Sequence, residues 1–405
     1  MTEALPLDGI RAVEFTHMVM GPTCGMILAD LGAEVVKVEP VPQGDNTRRL
    51  VGAGAGFFAT FNRNKRSLAV DMKAPAGKAL VQRLLQRADV MIENFRPGAI
   101  DKLGFSYEAL SVVNPKLIYC SLKGFLSGPY EHRTALDEVV QMMGGLAYMT
   151  GPPGRPLRAG ASVNDIMGGM FGAIGILAAL QERNRTGRGQ RITSALFENN
   201  AFLVASHMAQ FAVTGKAPDP MPNRISAWAI YDVFTTAEGD QVFVGVVTDT
   251  QWKIFCEAFD LPELFNDPRL KTNPERVALR DWLVPEVGKT FAKFGKAELM
   301  AKCEAIGLPY APITRPQDLF DDPHLNGPGG MVDIVLPDGR RTKLPGLPLE
   351  MSGRRSVNRT GLPGLGQDSR AIAAEIGLPQ AEVERLVAEG VLLVEANEPA
   401  LQNDD

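Results

Sequence analysis

The first third of the chain alternates short apolar runs with segments of helical periodicity. Five apolar runs predict strands, at 10–15, 34–39, 67–72, 89–95 and 116–122. Three intervening segments predict helices, at 21–32, 74–87 and 107–113. This alternation predicts an α/β domain with a largely parallel sheet. Ligands of such sheets bind beyond the carboxyl ends of the strands, so the loops after residues 15, 39, 92 and 122 are the expected site.

The pattern changes after the middle of the chain. Long helical segments are predicted at 166–183 and 194–213, and a polar, proline-rich linker follows at 214–226. Alternating apolar and polar residues then predict a hairpin that turns at 238–240. This hairpin and the helical segments after it define a smaller α+β domain at 227–313, distinct from a large domain that starts with 1–213.

The last part of the chain is rich in loops. A return segment at 314–395 contains a second hairpin candidate at 333–348 and two final helices at 369–376 and 380–389. The polar tail at 396–405 is predicted to be disordered.

Composition narrows the functional classes. The 405 residues suffice for two domains, and 45% hydrophobic with 22% charged residues is typical of a globular protein with a substantial core. The formal net charge is −5 and there is no long basic run, which excludes nucleic acid as the main partner. The N-terminal residues show no secretory pattern, and the apolar run at 166–180 is shorter than the roughly 20 residues of a membrane span. We therefore expect a cytoplasmic protein that does not bind membranes.

Cysteine and histidine give no sign of a metal centre. The four cysteines and the four histidines are widely separated, without metal-ligand spacing: Cys24, Cys120, Cys256, Cys303, His17, His132, His207 and His324. We expect no metal, no disulfide frame and no permanently bound cofactor.

Two stretches near predicted strand ends suit a phosphate-bearing ligand. Residues 62–73 concentrate four cations, which form either a solvated turn or a phosphate site. In 93–98, Phe95 can stack on a base, Asn94 can hydrogen-bond and Arg96 can pair with phosphate. The glycine-rich run at 51–58 lacks the GxGxxG spacing and the strand–helix context of a dinucleotide site, and is interpreted as a surface loop.

Asp165 stands at the head of a long apolar, glycine-rich helical segment. One interpretation is helix capping, in which Asn164 or Asp165 accepts hydrogen bonds from the first-turn amides. The other is a catalytic carboxylate at a positive helix end, backed by small residues that let a substrate approach. Residues 131–141 contain Asp137, which could bring a second carboxylate to such a site and raise the pKa of its neighbour.

Six ordered segments closely resemble the class III CoA-transferase family, which includes formyl-CoA and carnitine CoA-transferases. They read PLDGIRAVEFTHMVMGPTCGMILADLGAEVVKVE, FNRNKRSLAVDMKAPAG, ADVMIENFRPGAIDKLGF, NPKLIYCSLKGF, GASVNDIMGGMFGAIGILAAL and TGRGQ. Weaker likeness continues through GLPYAPI to GLGQDS. The resemblance implies a Rossmann-like large domain built from both chain ends, a small inserted domain, and a homodimer whose two chains interlock like linked rings.

The resemblance also implies roles for individual residues. Asp165 falls on the nucleophile, which attacks an acyl-CoA thioester to give an aspartyl anhydride and later an aspartyl–CoA thioester. The residues that match CoA contacts of the family are Val19, Met20, Val70, Lys73, Asn94, Phe95, Arg96, Lys102, Ala135 and Asp137. Pro40 stands where some relatives carry an arginine near the adenine, so that contact is left open.

Two other activities are compatible with the superfamily. An α-methylacyl-CoA racemase needs a histidine before the first aspartate, but Leu136 occupies that position and cannot move a proton. A noncatalytic CoA-binding protein would not require an intact Asp165. A CoA-transferase is therefore the preferred interpretation, with an acyl-CoA and a free carboxylic acid as its substrates.

The choice of acid depends on cationic residues. The segment at 221–234 has no glycine, unlike the polyglycine loop of formyl-CoA:oxalate members, so oxalate is disfavoured. Arg133, Arg158 and Arg224 are candidates to bind a second carboxylate, which predicts a small dicarboxylic acid as the acceptor and makes succinyl-CoA a candidate donor. The alternative interpretation is that these arginines are surface or interface residues without a role in substrate binding.

Overall fold

The computed structural model describes residues 4–224, 226–355 and 358–395, and the tail predicted at 396–405 lies outside the described residues. The chain divides into two compact units. One contains the residues up to Pro218 and those from Pro323 onward, and the other is Asp219–Asp322. The larger unit is thus assembled from two separate parts of the sequence.

The N-terminal part of the larger unit alternates strands and helices. Its strands are β1 (Arg11–Phe15), β2 (Glu34–Glu39), β3 (Lys65–Val70), β4 (Val90–Glu93), β5 (Ile118–Lys123) and β6 (Arg191–Ala195). Its helices are α1 (Met20–Asp30), α2 (Phe57–Phe61), α3 (Pro75–Gln86), α4 (Ala99–Lys102), α5 (Tyr107–Val113), α6 (Asp137–Met143), α7 (Leu146–Thr150), α8 (Val163–Thr186), α9 (Leu196–Leu203) and α10 (Ala205–Thr214).

The smaller unit is α+β. Three antiparallel strands form its sheet: β7 (Ile230–Thr235), β8 (Gln241–Val246) and β9 (Tyr310–Pro312). Its helices are α11 (Asp249–Ala258), α12 (Pro262–Asn266), α13 (Asn273–Ala278), α14 (Arg280–Phe291) and α15 (Lys296–Ala305). Gly239, with φ of 82°, makes the turn of the predicted hairpin between β7 and β8.

The return segment completes the larger unit. It contains two short hairpins, made by β10 (Met331–Val335) with β11 (Arg341–Pro345) and by β12 (Glu350–Met351) with β13 (Arg354–Arg355). It ends with α16 (Ser369–Glu375), α17 (Gln380–Ala388) and β14 (Leu392–Leu393).

The seven-stranded sheet of the larger unit has the order β14-β3-β2-β1-β4-β5-β6. The first six strands in sequence pair in parallel, and only β14 pairs antiparallel, with β3. The sheet is buried on both faces, because Val13 and Leu68 pack toward the layer that includes α16 and α17, while Ile92 and Cys120 pack toward α1 and α8. This is the doubly wound α/β arrangement, as the strand–helix rhythm predicts.

Two local predictions are wrong. Residues 194–213 do not form one helix: β6 ends at Ala195, and α9 and α10 follow with a break at Val204. The β-branched pair Ile192 and Thr193 favours the extended edge strand that precedes α9. The run at 51–58 is a surface loop only in its first part. Phe58, in α2, is buried and packs under the guanidinium of Arg48, whose Cζ lies 3.9 Å from the ring centroid.

Helix α8 is longer than its apolar run predicted. It has 24 residues and, by length and composition alone, could cross a membrane. Its glycines pack closely against α1: a Cβ on Gly169 would lie 2.6 Å from the Met20 carbonyl oxygen, and one on Gly168 would meet the Met20 methyl group. The expectation that these glycines let a substrate approach is therefore corrected, because they admit a neighbouring helix.

Candidate active site

The centre of the sheet marks the crevice where a ligand is expected. β1 pairs with β2 on one side and with β4 on the other, so the order of the strands reverses direction at β1. The loops after β1 and β4 are joined by two hydrogen bonds: the His17 amide donates to Asn94 Oδ1 at 3.0 Å, and Asn94 Nδ2 donates to the His17 carbonyl at 2.8 Å. The loop that carries Val19 and the loop that carries Phe95 are thereby held together.

The residues matched to CoA contacts follow strand ends along this edge. The loop after β1 carries Val19 and Met20, and the loop after β4 carries Asn94, Phe95 and Arg96. β3 ends at Val70 and is followed by Lys73, α4 ends at Lys102, and the segment after β5 carries Ala135 and Asp137. Lys73, Arg96 and Lys102 are exposed, whereas Asn94 and Phe95 are half-buried. Exposed cations and a half-buried aromatic ring in the loops that follow these strands suit a phosphate-bearing nucleotide.

Two of the cations in the 62–73 stretch do not serve a ligand. Arg63 is buried and donates to Asp30, with Nη2 2.6 Å from Oδ2. Lys65 is also buried, with its ammonium 2.9 Å from Glu14 Oε1. Both the solvated turn and the phosphate site are thus excluded for these two residues, while exposed Lys73 keeps its candidate role.

An ion pair that the sequence did not reveal fixes the loop after β4. Lys123 Nζ lies 2.6 Å from Glu93 Oε1 and donates to the Phe95 carbonyl at 2.8 Å, while the Phe95 amide donates to Glu93 Oε2 at 3.0 Å. A pocket of about 480 Å³ opens beside this pair, lined also by Ser121 and Thr193. Asp165 does not line this pocket, which lies on the α5 side of the sheet.

The start of α8 is capped by another helix. Ser162 at the N-cap makes no side-chain cap bond. Instead Asp137 Oδ1, at the beginning of α6, accepts hydrogen bonds from the Asn164 amide at 2.8 Å and the Asp165 amide at 3.3 Å. Within the described ranges, we find no hydrogen bond to the Asp165 carboxyl. Capping by Asp165 is therefore excluded, and its carboxyl is available for chemistry.

Asp137 is itself held in place. Gln141 Nε2 donates to Asp137 Oδ2 at 2.6 Å, and Gln141 Oε1 accepts from the Ala159 amide at 2.8 Å. Arg158 Nη2 lies 3.5 Å from the same Oδ2. The Asp137 carboxylate is thus occupied by protein groups, which leaves its main chain for any contact with CoA.

The local electrostatics make Asp165 an unusual carboxyl. Burial, and after it the negative charge of Asp137, raise the pKa of Asp165 from 3.8 to about 7, against the opposing effect of Arg158. The partly buried group is thus about half ionised at neutral pH. A strongly raised pKa that results from burial and a charged neighbour is typical of functional carboxyls.

The three candidate arginines occupy different environments. Arg158 forms ion pairs near Asp165, because its guanidinium lies 3.5 Å from Asp137 Oδ2 and 3.6 Å from Glu138 Oε2. Arg133 is exposed, with its guanidinium 4.9 Å from the Tyr130 ring centroid. Arg224 belongs to the smaller unit and is exposed. Among the residues that the structure describes, no group of three His, Cys, Asp or Glu side chains is arranged to hold a metal ion.

Comparison with known proteins identifies the class to which this fold and site belong. The family model described as CoA-transferase family III matches residues 7–369. The chain is 36% identical to a succinate–glutarate CoA-transferase of Agrobacterium fabrum, over 92% of this chain and 96% of the relative. It is 35% identical to an acetyl-CoA:oxalate CoA-transferase of Acetobacter aceti, over 93% and 97%. A crystal structure of a CAIB/BAIF family protein from Brucella suis superposes with a TM-score of 0.82 at 35% identity, over 92% of this chain and all of that one.

The chain therefore belongs to CoA-transferase family III, which confirms the resemblance seen in the sequence. It is a CoA-transferase, and the substrates of this class are CoA thioesters and carboxylic acids. The racemase and the noncatalytic binding protein are set aside as its function.

Proposed function

We propose that this enzyme moves CoA from an acyl-CoA, with succinyl-CoA as the leading donor, to a small dicarboxylic acid by way of covalent intermediates on Asp165. The observation that carries the proposal is a partly buried carboxyl at a helix N-terminus, with a raised pKa and its neighbouring amides capped by Asp137. The names of the two relatives support dicarboxylic acids as substrates, because succinate, glutarate and oxalate all carry two carboxyl groups.

The reaction begins when the ionised Asp165 attacks the thioester carbonyl carbon of the donor. The carbon–sulfur bond breaks, CoA leaves as a thiolate, and Asp165 holds the acyl group as an anhydride. The thiolate then attacks the aspartyl carbonyl, which releases the donor acid and leaves an aspartyl–CoA thioester. The acceptor carboxylate attacks the aspartyl carbonyl and displaces CoA, which gives an anhydride between Asp165 and the acceptor. The CoA thiolate then attacks the acyl carbon of the acceptor in this anhydride. The products are acceptor-CoA and a free Asp165 carboxylate.

The surroundings of Asp165 favour this sequence of steps. The negative charge of Asp137 destabilises an ionised Asp165, and acylation removes that charge from Asp165. A carboxylate with a raised pKa is also a stronger nucleophile than an ordinary one at neutral pH. Partial burial limits the access of water, which would otherwise hydrolyse the anhydride and the thioester.

The same edge of the sheet supplies groups for the rest of CoA. Phe95 is proposed to stack on the adenine, and the exposed cations Arg96, Lys73 and Lys102 to pair with phosphates. The main chain at Val19 and Met20 is proposed to bind the pantetheine arm on its way to α8.

Arg158 is the proposed ligand of the distal carboxylate. It lies beside both Asp137 and Glu138 with a partly exposed side chain, so it can exchange weak pairs at 3.5 and 3.6 Å for a substrate carboxylate. The roles of Arg133 and Arg224 in carboxylate binding stay predictions from the sequence. The absence of glycine from 221–234 still disfavours oxalate as the acceptor.

We also propose that the enzyme is an interlocked homodimer. Exposed apolar side chains cover consecutive helices α8–α10, among them Ile174 (56% exposed), Phe202 (68%), Met208 (62%) and Phe211 (54%). Large apolar side chains exposed on three successive helices are typical of the surfaces that obligate interfaces cover.

Light scattering should therefore give twice the 43.8-kDa chain mass. Two linked rings cannot separate without unfolding, so tagged and untagged dimers should exchange subunits only after denaturation and refolding together. A monomeric mass would contradict the dimer, and rapid exchange under native conditions would contradict the interlocking.

Covalent trapping tests the mechanism directly. Incubation with succinyl-CoA and hydroxylamine, without an acceptor acid, should convert the Asp165 carboxyl to a hydroxamate, because hydroxylamine attacks the anhydride or the thioester. Peptide mass spectrometry should place the modification on the peptide that contains Asp165. Unmodified enzyme after many donor equivalents, or a label on another residue, would contradict the assignment of Asp165 as the nucleophile.

A further inference from the structure

A cluster of four charged side chains lies buried beneath the loop that follows β1. Glu14, Lys37 and Lys65 have fully buried side chains, and Asp45 is 1% exposed. Glu14, Lys37 and Lys65 come from the neighbouring strands β1, β2 and β3, and Asp45 from the loop after β2. We call these four residues the buried charge cluster. It holds two positive and two negative groups, so burial leaves no net charge.

Both ammonium groups of the cluster donate to the main chain around the same loop. Lys37 Nζ lies 2.9 Å from Asp45 Oδ2 and 3.5 Å from Glu14 Oε1, and donates to the Thr16 carbonyl at 2.8 Å. Lys65 Nζ donates to Glu14 Oε1 at 2.9 Å and to the Pro22 carbonyl at 3.0 Å. The carboxylates thus hold the two lysines where each can bind one end of the segment 16–22.

The segment between these two carbonyls needs external support. Met18 has φ of 65°, a left-handed conformation that costs free energy in a residue with a side chain. The hydrogen bonds between His17 and Asn94 provide a third attachment from the loop after β4. Val19 and Met20, which are proposed to contact CoA, lie between the two carbonyls that the lysines bind.

We propose that Lys37 and Lys65 are positioning residues that set the conformation of segment 16–22 for CoA binding. This inference rests on the proposed function of that segment. Packing alone does not explain the cluster, because well-packed apolar side chains often replace a buried ion pair without loss of stability. What apolar side chains cannot supply is a pair of donors for the Thr16 and Pro22 carbonyls.

A double variant tests the proposal with its charge balance kept. Lys37→Met with Asp45→Asn removes one positive and one negative group of the cluster. The matched control is Arg63→Met with Asp30→Asn. It removes another buried ion pair, which lies at the C-terminal end of α1 and not at its N-terminal end. Arg63 hydrogen-bonds to Asp30 and the Pro345 carbonyl, and not to segment 16–22.

The cluster variant should raise KM for acyl-CoA about tenfold or more, since a displaced binding segment weakens positioning, while kcat at saturating donor stays within about threefold. Hydrogen exchange at the amides of 17–20 should accelerate in the same protein. The control variant should lose thermal stability without either change. An unchanged KM in the folded cluster variant, or an equal rise in the control, would overturn the proposal.

Two further measurements keep the outcome decisive. If the cluster variant does not fold, hydrogen exchange in the unsubstituted enzyme decides: amides of 17–20 that exchange as fast as free peptide would overturn the proposal, and slow exchange would support it. CoA transfer and covalent trapping by the unsubstituted enzyme test the proposed function separately. If the unsubstituted enzyme transfers CoA and the cluster variant keeps the same KM for acyl-CoA, only the positioning role is rejected.

Discussion

Replacing Asp165 by asparagine or alanine is expected to reduce the rate of CoA transfer by about 10⁴-fold or more, because every proposed intermediate forms on this carboxyl. An amide at the same position cannot form the anhydride, so hydroxylamine trapping should fail as well. Steady-state assays with succinyl-CoA and a panel of dicarboxylic acids would measure the loss. As a control, Glu182→Gln, at the far end of α8, should retain ordinary turnover. Substantial transfer by either Asp165 variant would contradict the mechanism.

The same substitution should stabilise the folded protein at alkaline pH. In the unfolded chain Asp165 loses its proton near 3.8, but burial and Asp137 raise the pKa of the folded group to about 7. The free energy of unfolding therefore falls as pH rises across this interval. The interval corresponds to about 4 kcal/mol. Asp165→Asn, which cannot ionise, should thus gain about 2–4 kcal/mol at pH 8 once partial solvent screening is included. Equal denaturation midpoints for the two proteins at pH 8 would show that the native group is not strained when ionised.

Substitution of Arg158 is expected to have the next largest effect, and one that depends on the substrate. Arg158→Met should lower kcat/KM for succinyl-CoA by about 30-fold to several thousand-fold, since a charge-assisted pair that loses its water when the substrate binds contributes about 2–5 kcal/mol. Butyryl-CoA, which lacks the distal carboxylate, should be a poor donor for the unsubstituted enzyme and should lose little more in the variant. Comparison of the two donors thus separates recognition of the carboxylate from damage to the site.

The pH of this assay matters. Arg158 also lowers the pKa of Asp165, so its removal should raise that pKa further and reduce the ionised fraction at neutral pH for both donors. The assay should therefore be run above pH 8, where this common effect is smallest. Arg185→Met is the matched control, because Arg185 is exposed in the last turn of α8, at the opposite end of that helix from Asp165. Equal relative rates of the two donors in the variant and the unsubstituted enzyme would remove Arg158 from substrate selection.

Much of the fold follows from the sequence because its signals are local. The strands before residue 124 and the helices at 75–86 and 107–113 show their own periodicity, and their alternation determines a parallel sheet. The strand at 191–195 was missed because it is short, lies at an edge, and continues directly into α9. Periodicity cannot separate a five-residue edge strand from the helix that follows it.

The site was less accessible to sequence reasoning, because its important pairs are distant in the chain. Asp165 stood out by position, but the residue that caps its helix, Asp137, lies 28 positions earlier. The sequence assigns Lys65 either to a solvated turn or to a phosphate site, whereas its partner Glu14 lies 51 positions away. Nothing in the local sequence around these residues records such pairings, so only the tertiary structure shows which charged groups meet.

The antiparallel strand β14 has a consequence for synthesis of the protein. β3 is complete near residue 70, but its outer edge pairs with Leu392 and Leu393, and its neighbouring core includes Ile372 of α16 and Ile376, which follows that helix directly. A ribosome must therefore add some 320 residues before that edge is covered, and the chain with Asp219–Asp322 already made can still lack its final strand. The nascent larger unit must remain incomplete throughout this time, with an exposed apolar strand edge that chaperones would recognise.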